Sequence, residues 1–153
     1  YLAFLDADDL WPAGSLAARR AALAALPAGS CVFGAVEQFH SEELSPEARQ
    51  RLTVTGDTRA ARFVGCMLIR RADFQAVGGF DVNLPVGEMI EWVARAEARG
   101  LALRTIDTLT LRRRLHGANT TLRHAGGLNR AYLHALKAGL DRRRAVGKPQ
   151  GPS

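Results

Sequence analysis

Three aspartates within four positions, Asp6, Asp8 and Asp9, follow directly on an unbroken apolar run at residues 1–5. Carboxylates this close repel one another unless a cation lies between them. Oxygen donors select a hard divalent ion, Mg²⁺ or Mn²⁺, and such an ion is normally completed by the phosphates of a substrate. The competing role is structural: Asp9 caps a helix near Pro12 while Asp6 and Asp8 face water. A second group is the run Arg112, Arg113 and Arg114. On an alternating strand Arg112 and Arg114 share a face and Arg113 points away. That suits contact with a diphosphate, or a charged strand edge that discourages aggregation. Trp11 and Trp92 are large enough to stack on a ligand ring, or to fill a core.

These side chains need elements to hold them. Residues 1–5 read as a strand buried on both faces, the pattern of a parallel-sheet interior. Ligands in open α/β sheets gather outside the carboxyl ends of such strands. A central strand needs neighbours, so the chain reads as the C-terminal part of a longer protein, beginning inside a sheet. Pro12 suits the first turn of a helix. Leu16, Arg19, Arg20, Leu23 and Leu26 give that helix one apolar stripe, and residues 27–29 end it. Residues 31–36 form a short strand. Residues 40–57 are a polar loop with a helical turn at 46–52. Residues 63–69 read as a second buried strand, 72–77 as a short helix stopped by Gly78 and Gly79, and 88–99 as a helix that Gly100 caps. Two strands follow, at 101–106 and 108–114. Residues 128–140 have the spacing of an amphipathic helix, and 142–153 read as a loose basic tail. The domain reading is therefore residues 1–140 with a tail from 141.

Composition bounds the class. The chain has 153 residues, 47% apolar and 24% charged, the balance of one folded domain. No stretch approaches the roughly 20 apolar residues of a membrane helix. The start lacks the basic lead of a signal peptide. Two cysteines, Cys31 and Cys66, are too few for a disulfide scaffold or a cysteine zinc cluster. They read as buried free thiols of a reducing compartment. Residues 1–103 hold 10 Lys/Arg against 13 Asp/Glu, a net of −3, whereas residues 104–153 hold 11 Lys/Arg against Asp107 and Asp141, a net of +9. That asymmetry suits an anionic partner (phosphate, acidic lipid or nucleic acid) or a solvated basic face.

Four segments together resemble family 2 glycosyltransferases, which have the GT-A fold. Residues 1–12, with the Asp-x-Asp of Asp6 and Asp8, resemble that family's strand and acidic motif. Residues 63–71 and the Gly-Gly-Phe-Asp ending at Asp81 resemble its acceptor-side strand and turn. Residues 87–95, beginning Gly-Glu-Met, stand where the family has Gly-Glu-Asp followed by an aromatic and an Arg. Arg114, His116 and Asn119 are similar to its Arg-x-His-x-x-Asn. The four come in the family's order and cover roughly residues 1–121.

The resemblance implies an α/β domain, a GT-A-like mixed sheet flanked by helices, with the N-terminal half of the fold absent. It implies transfer of a sugar, with inversion, from a nucleotide-sugar donor to an acceptor. A UDP-sugar is the leading donor, and the acceptor is a glycan, a lipid-linked molecule or a small molecule. Mn²⁺ or Mg²⁺ would be held by Asp8 and Asp6 with His116. Asp6, Asp8, Asp9 and Arg114 would meet the donor and its diphosphate, and Trp92 and Glu91 the acceptor. The family's base Asp is Met89 here, and a thioether takes no proton. Glu88 is the nearest replacement, with Glu91 one turn further on; the structural alternative for Glu88 is a helix N-terminus stabilised by the dipole. Residues 1–153 alone should bind a nucleotide sugar poorly, because the family's first half holds the nucleobase. The expected location is the cytoplasm, with peripheral contact to acidic lipid at the inner face of the membrane through the basic C-terminal region. Met89 also motivates a non-catalytic relative that binds nucleotide or glycan. The +9 terminal third motivates a basic nucleic-acid-binding module. Aromatics are only 7% of the chain and do not interleave with the basic residues, which argues against nucleic acid.

Overall fold

The computed structural model describes residues 1–52, 54, 58–84, 87–116, 133 and 137. In chain order the elements are β1 (Leu2–Ala3), α1 (Ser15–Ala24), β2 (Ser30–His40), α2 (Pro46–Arg51), β3 (Arg59–Ala60), a 3₁₀ turn (Val64–Cys66), β4 (Met67–Ile69), α3 (Arg71–Val77), α4 (Glu88–Ala98) and β5 (Ala102–Leu115).

Residues 30–36 are small, β-branched or aromatic and carry no charge, and each one is buried. Among the described residues they make β2 the centre of a five-stranded mixed sheet. β5 runs parallel along one edge of it, from Ser30 opposite Ala102 to His40 opposite Leu115. The other edge is shared: β4 pairs antiparallel with Cys31 to Phe33, and β3 with Ala35 and Val36. β1 lies antiparallel on β4. Hence β1, β2 and β5 share one direction, while β3 and β4 run the other way.

Period-2 alternation sorts the sheet's side chains between two faces. Val32 and Leu68 pack with Leu23 of α1. Cys31, Phe33, Met67 and Ile69 face the other way and pack with Met89, Trp92 and Ala96 of α4. The chain is therefore a mixed α/β sheet flanked by helices on both faces. Trp92 is the largest buried side chain among the described residues. Its ring stacks on Phe74, centroids 5.6 Å apart, and its Nε1–H donates to Gly78 O at 2.9 Å. Gly78 takes φ +92°, and a Cβ there would come within 2.7 Å of Arg95 Nη1. Cys31 and Cys66 are buried free thiols, and burial pushes both thiols above their usual range.

Several elements differ from the reading of the sequence. The opening run forms only the two-residue β1, paired with β4 alone among the described residues, with Tyr1 62% and Leu5 45% exposed. It is a short strand at the sheet's margin rather than a buried central one. α1 starts at Ser15 rather than Pro12, and Gly14 caps it without any side-chain bond, so Asp9 is not its cap. The buried stripe of α1 is Ser15, Arg19 and Leu23, with Leu16 exposed. The two expected strands after Gly100 are one continuous β5. The segment expected as a strand at 63–69 begins with the 3₁₀ turn. The expected helix at 128–140 and the tail lie outside the described residues, apart from Leu133 and Lys137. Among the described residues no helix is long and apolar enough to cross a membrane.

Candidate functional site

The aspartates sit on a turn that two distant elements hold in place. After β1 the chain folds back, with Asp9 N–H donating to Asp6 O at 3.1 Å. Leu10 then forms an antiparallel bridge with Arg112 of β5, through N–H···O bonds of 2.9 and 2.8 Å. Trp11 fastens the next position: its Nε1–H donates to Gly65 O at 2.8 Å. Arg19, fully buried on α1, donates through Nη1 to the same carbonyl and to Met67 O, and lies 4.6 Å from the Trp11 ring centroid.

Between these anchors the three carboxylates converge. One ligand oxygen from each of Asp6, Asp8 and Asp9 lies within 4.8 Å of the others. Ligands of an octahedral ion with bonds of about 2.1 Å stand about 3 Å apart when adjacent and about 4.2 Å apart when opposite, so the three side chains would have to draw closer to share Mg²⁺ or Mn²⁺. An all-oxygen donor set fits those ions better than softer metals.

The three acids are not equivalent. Asp6 is exposed, Asp8 half-buried and Asp9 only 7% exposed. Burial raises the Asp9 carboxyl, and the charges of Asp8 and Asp6 add to that; together they outweigh the bond from Arg114 N–H to Asp9 Oδ1 (2.9 Å) and push it up to about 6. At Asp8 partial burial acts the same way. The hydrogen bond and charge of His116 overcome it, and hold this carboxyl below its ordinary value. Asp8 Oδ2 accepts that bond from His116 Nε2 at 2.7 Å, across 108 positions of sequence.

His116 therefore reaches the cluster through Asp8. The converging oxygens are those of the aspartates, and the ring nitrogen expected on the metal is instead bonded to one of them. Such a partner fixes the orientation of a ligating carboxylate. Arg114, expected on the diphosphate, holds the turn: its Nε–H donates to Asp8 O at 2.9 Å. Arg112 and Arg114 both set their guanidinium carbons 4.9 Å from the Phe39 ring centroid, whereas Arg113 lies 5.0 Å over Phe63. The alternation read from the sequence is the one observed; the aromatic platforms under it are not visible from spacing. Arg19 was likewise hidden in an apparent apolar stripe.

The residues expected on the acceptor side are all on α4. Glu88 opens the helix, half-buried, and makes no ion pair among the described residues. Glu91 is buried and paired with Arg95 at 2.9 Å, so it braces the helix rather than awaiting a substrate. Trp92 has no exposed surface, and its ring is covered by core aromatics rather than offered to a sugar. Met89 lies in the same apolar cluster. An open, mainly apolar depression of about 440 Å³ lies beside the turn, lined by Trp11, Pro12, Leu16 and Arg20 among others; the aspartates are not part of its wall. Comparison of the chain with family models, with curated proteins and with solved structures finds no match.

Proposed function

We propose that this chain is part of a metal-dependent inverting glycosyltransferase of family 2, with the GT-A arrangement of its sheet, that moves a sugar from a nucleotide diphosphate to an acceptor hydroxyl. One observation supports this above the others: the chain brings His116 onto Asp8 beside Asp6 and Asp9, so that the residues singled out by the resemblance meet in one place. Asp8 and Asp6, with Asp9, would hold Mn²⁺ or Mg²⁺. When bound, the ion neutralises charge growing on the departing diphosphate. His116 and Arg114 keep Asp8 turned toward the ion, one through its side chain and the other through its carbonyl. In the transfer, the acceptor oxygen bonds to the anomeric carbon as the bond from that carbon to the diphosphate oxygen breaks. The diphosphate leaves with the electron pair, and Glu88 takes the acceptor's proton. A nucleotide-sugar donor and two reduced thiols suit a cytoplasmic location.

The test begins with the metal. Titrating Mn²⁺ is expected to raise the melting temperature, and Asp8→Ala to abolish the rise. Melting that is indifferent to both Mn²⁺ and Mg²⁺ would overturn the proposal. A second reading, a relative that binds nucleotide or glycan without transfer, is favoured by Met89, which buries a thioether in the core where the family carries its base. Turnover of a sugar nucleotide that disappears in Glu88→Gln would exclude it.

A further inference from the structure

We infer that the open depression beside the acidic turn is a binding site of its own, for a small aromatic monoanion of the aryl carboxylate class. The inference does not rest on the metal reading above. Helix α1 begins without the groups that usually neutralise a helix start. Its N-cap, Gly14, offers no side chain, and its first turn carries no acidic residue. Ser15 N–H is spent on Pro12 O at 3.1 Å, and Ala18 N–H on Gly14 O at 2.9 Å. Between them, the N–H groups of Leu16 and Ala17 meet no backbone carbonyl among the described residues. Free N–H groups at the start of a helix attract an anion.

Water alone could satisfy a bare helix start, but here side chains complete a site. Ser15 lines the depression although only 2% of its surface is exposed, and its hydroxyl has no hydrogen-bond partner among the described residues. A hydroxyl in so enclosed a place is costly to leave unpaired. Arg20 stands on the same wall, exposed and without a carboxylate partner among the described residues. Arg19 sets a second guanidinium 4.6 Å from the Trp11 ring centroid, and its Nη2 is buried with no partner. The surface between these donors is the apolar one of Trp11, Pro12 and Leu16, in a depression of about 440 Å³. The donors ask for a negative charge and the walls for a flat apolar body. A second negative charge would be opposed by Asp9, two positions before Trp11, and by Asp6 and Asp8 beside it. A carboxylate supplies one charge and two oxygens, which accept from the amides, the hydroxyl and the guanidinium together.

The probe is naphthoate, titrated into the whole chain in metal-free buffer and read from the indole N–H resonances of a proton–nitrogen correlation spectrum. Trp92, with no exposed surface, is the internal control. The Trp11 resonance is expected to move and saturate at millimolar probe or below, while that of Trp92 stays. Neutral naphthamide should bind about tenfold more weakly, and so should acetate, which lacks the ring. Arg20→Gln changes an exposed side chain and should weaken naphthoate roughly fivefold; Ser15→Ala should weaken it about three- to tenfold. Leu16→Glu decides between a ligand site and a bare helix start. A carboxylate in the first turn of α1 holds or raises the melting temperature, yet it competes with the anion for the same donors. Naphthoate affinity is expected to fall at least about tenfold in a variant that melts no lower than wild type. A Trp11 resonance unmoved by naphthoate, equal affinity for naphthoate and naphthamide, or full affinity in Leu16→Glu would overturn the inference. None of these results touches the metal reading, since no cation enters the measurement.

Discussion

Asp9 is where fold and proposed chemistry pull against each other. Its carboxyl is buried among two other acids and rises from 3.8 to about 6. The folded state thus holds the proton more tightly than the unfolded chain does. Asp9 favours the fold fully below about pH 3.8, loses that contribution as pH climbs toward 6, and above about 6 its charge weighs against folding. Asn stays neutral and keeps an oxygen for Arg114 N–H. Asp9→Asn is therefore expected to raise the melting temperature at pH 7.5, to differ little from wild type near pH 4, and to weaken stabilisation by Mn²⁺. Identical melting at pH 7.5 would show that no such penalty exists. Sites that must bind a cation commonly accept this conflict. Spacing alone made the three acids conspicuous. It did not show which is buried, because the burying partner is a backbone N–H 105 positions away.

Among the elements, the pairing of β2 with β5 governs the interior. Their register shifts between Phe33 and Ala35, where Thr105 and Leu109 are the successive partners, so β5 carries two extra residues there. Such an irregularity bends a strand without ending it. This is why an apparent break at Asp107 left one strand rather than two. Gly34 sits at the irregularity, and a Cβ on it would fall 2.1 Å from Thr110 Oγ1, inside a side chain that is itself fully buried. Gly34→Ala is expected to cost about 1–3 kcal/mol by overpacking, read as a lower denaturation midpoint at unchanged slope; a loss under about 0.5 kcal/mol would mean that Thr110 yields freely. The helices were legible where punctuation was strong: Pro46 at the start of α2, Gly78 after α3, Gly100 after α4. α1 misled at Leu16 and Arg20, which are exposed, whereas Arg19 is buried on the stripe as read. Three backbone oxygens (Ser15, Gly65 and Met67) and the Trp11 ring make that burial tolerable, and none of them is within its apolar pattern.

Across the whole molecule, β2 is covered on both edges by strands and on both faces by helices, whereas β1 has one paired edge among the described residues. Local opening should follow that difference. The amides of Val32 and Phe33 are expected to exchange with deuterium slowest, at the rate of global unfolding, and those of Leu2 and Ala3 much faster; comparable protection of the two strands would contradict a core centred on β2. The apolar runs alternating with helical spacing agree with the α/β class that the resemblance implied. Strand order was beyond it, since the short β4 joins β1 to β2 across wide gaps in the chain. The contact between Asp8 and His116 carries one last consequence. As the polypeptide leaves the ribosome, the first of these residues is exposed long before the second exists. Until β5 has emerged and docked, the acidic turn has neither its ladder partner nor its orienting imidazole. Capture of a cation by a nascent or shortened chain would accordingly report that β5 has arrived.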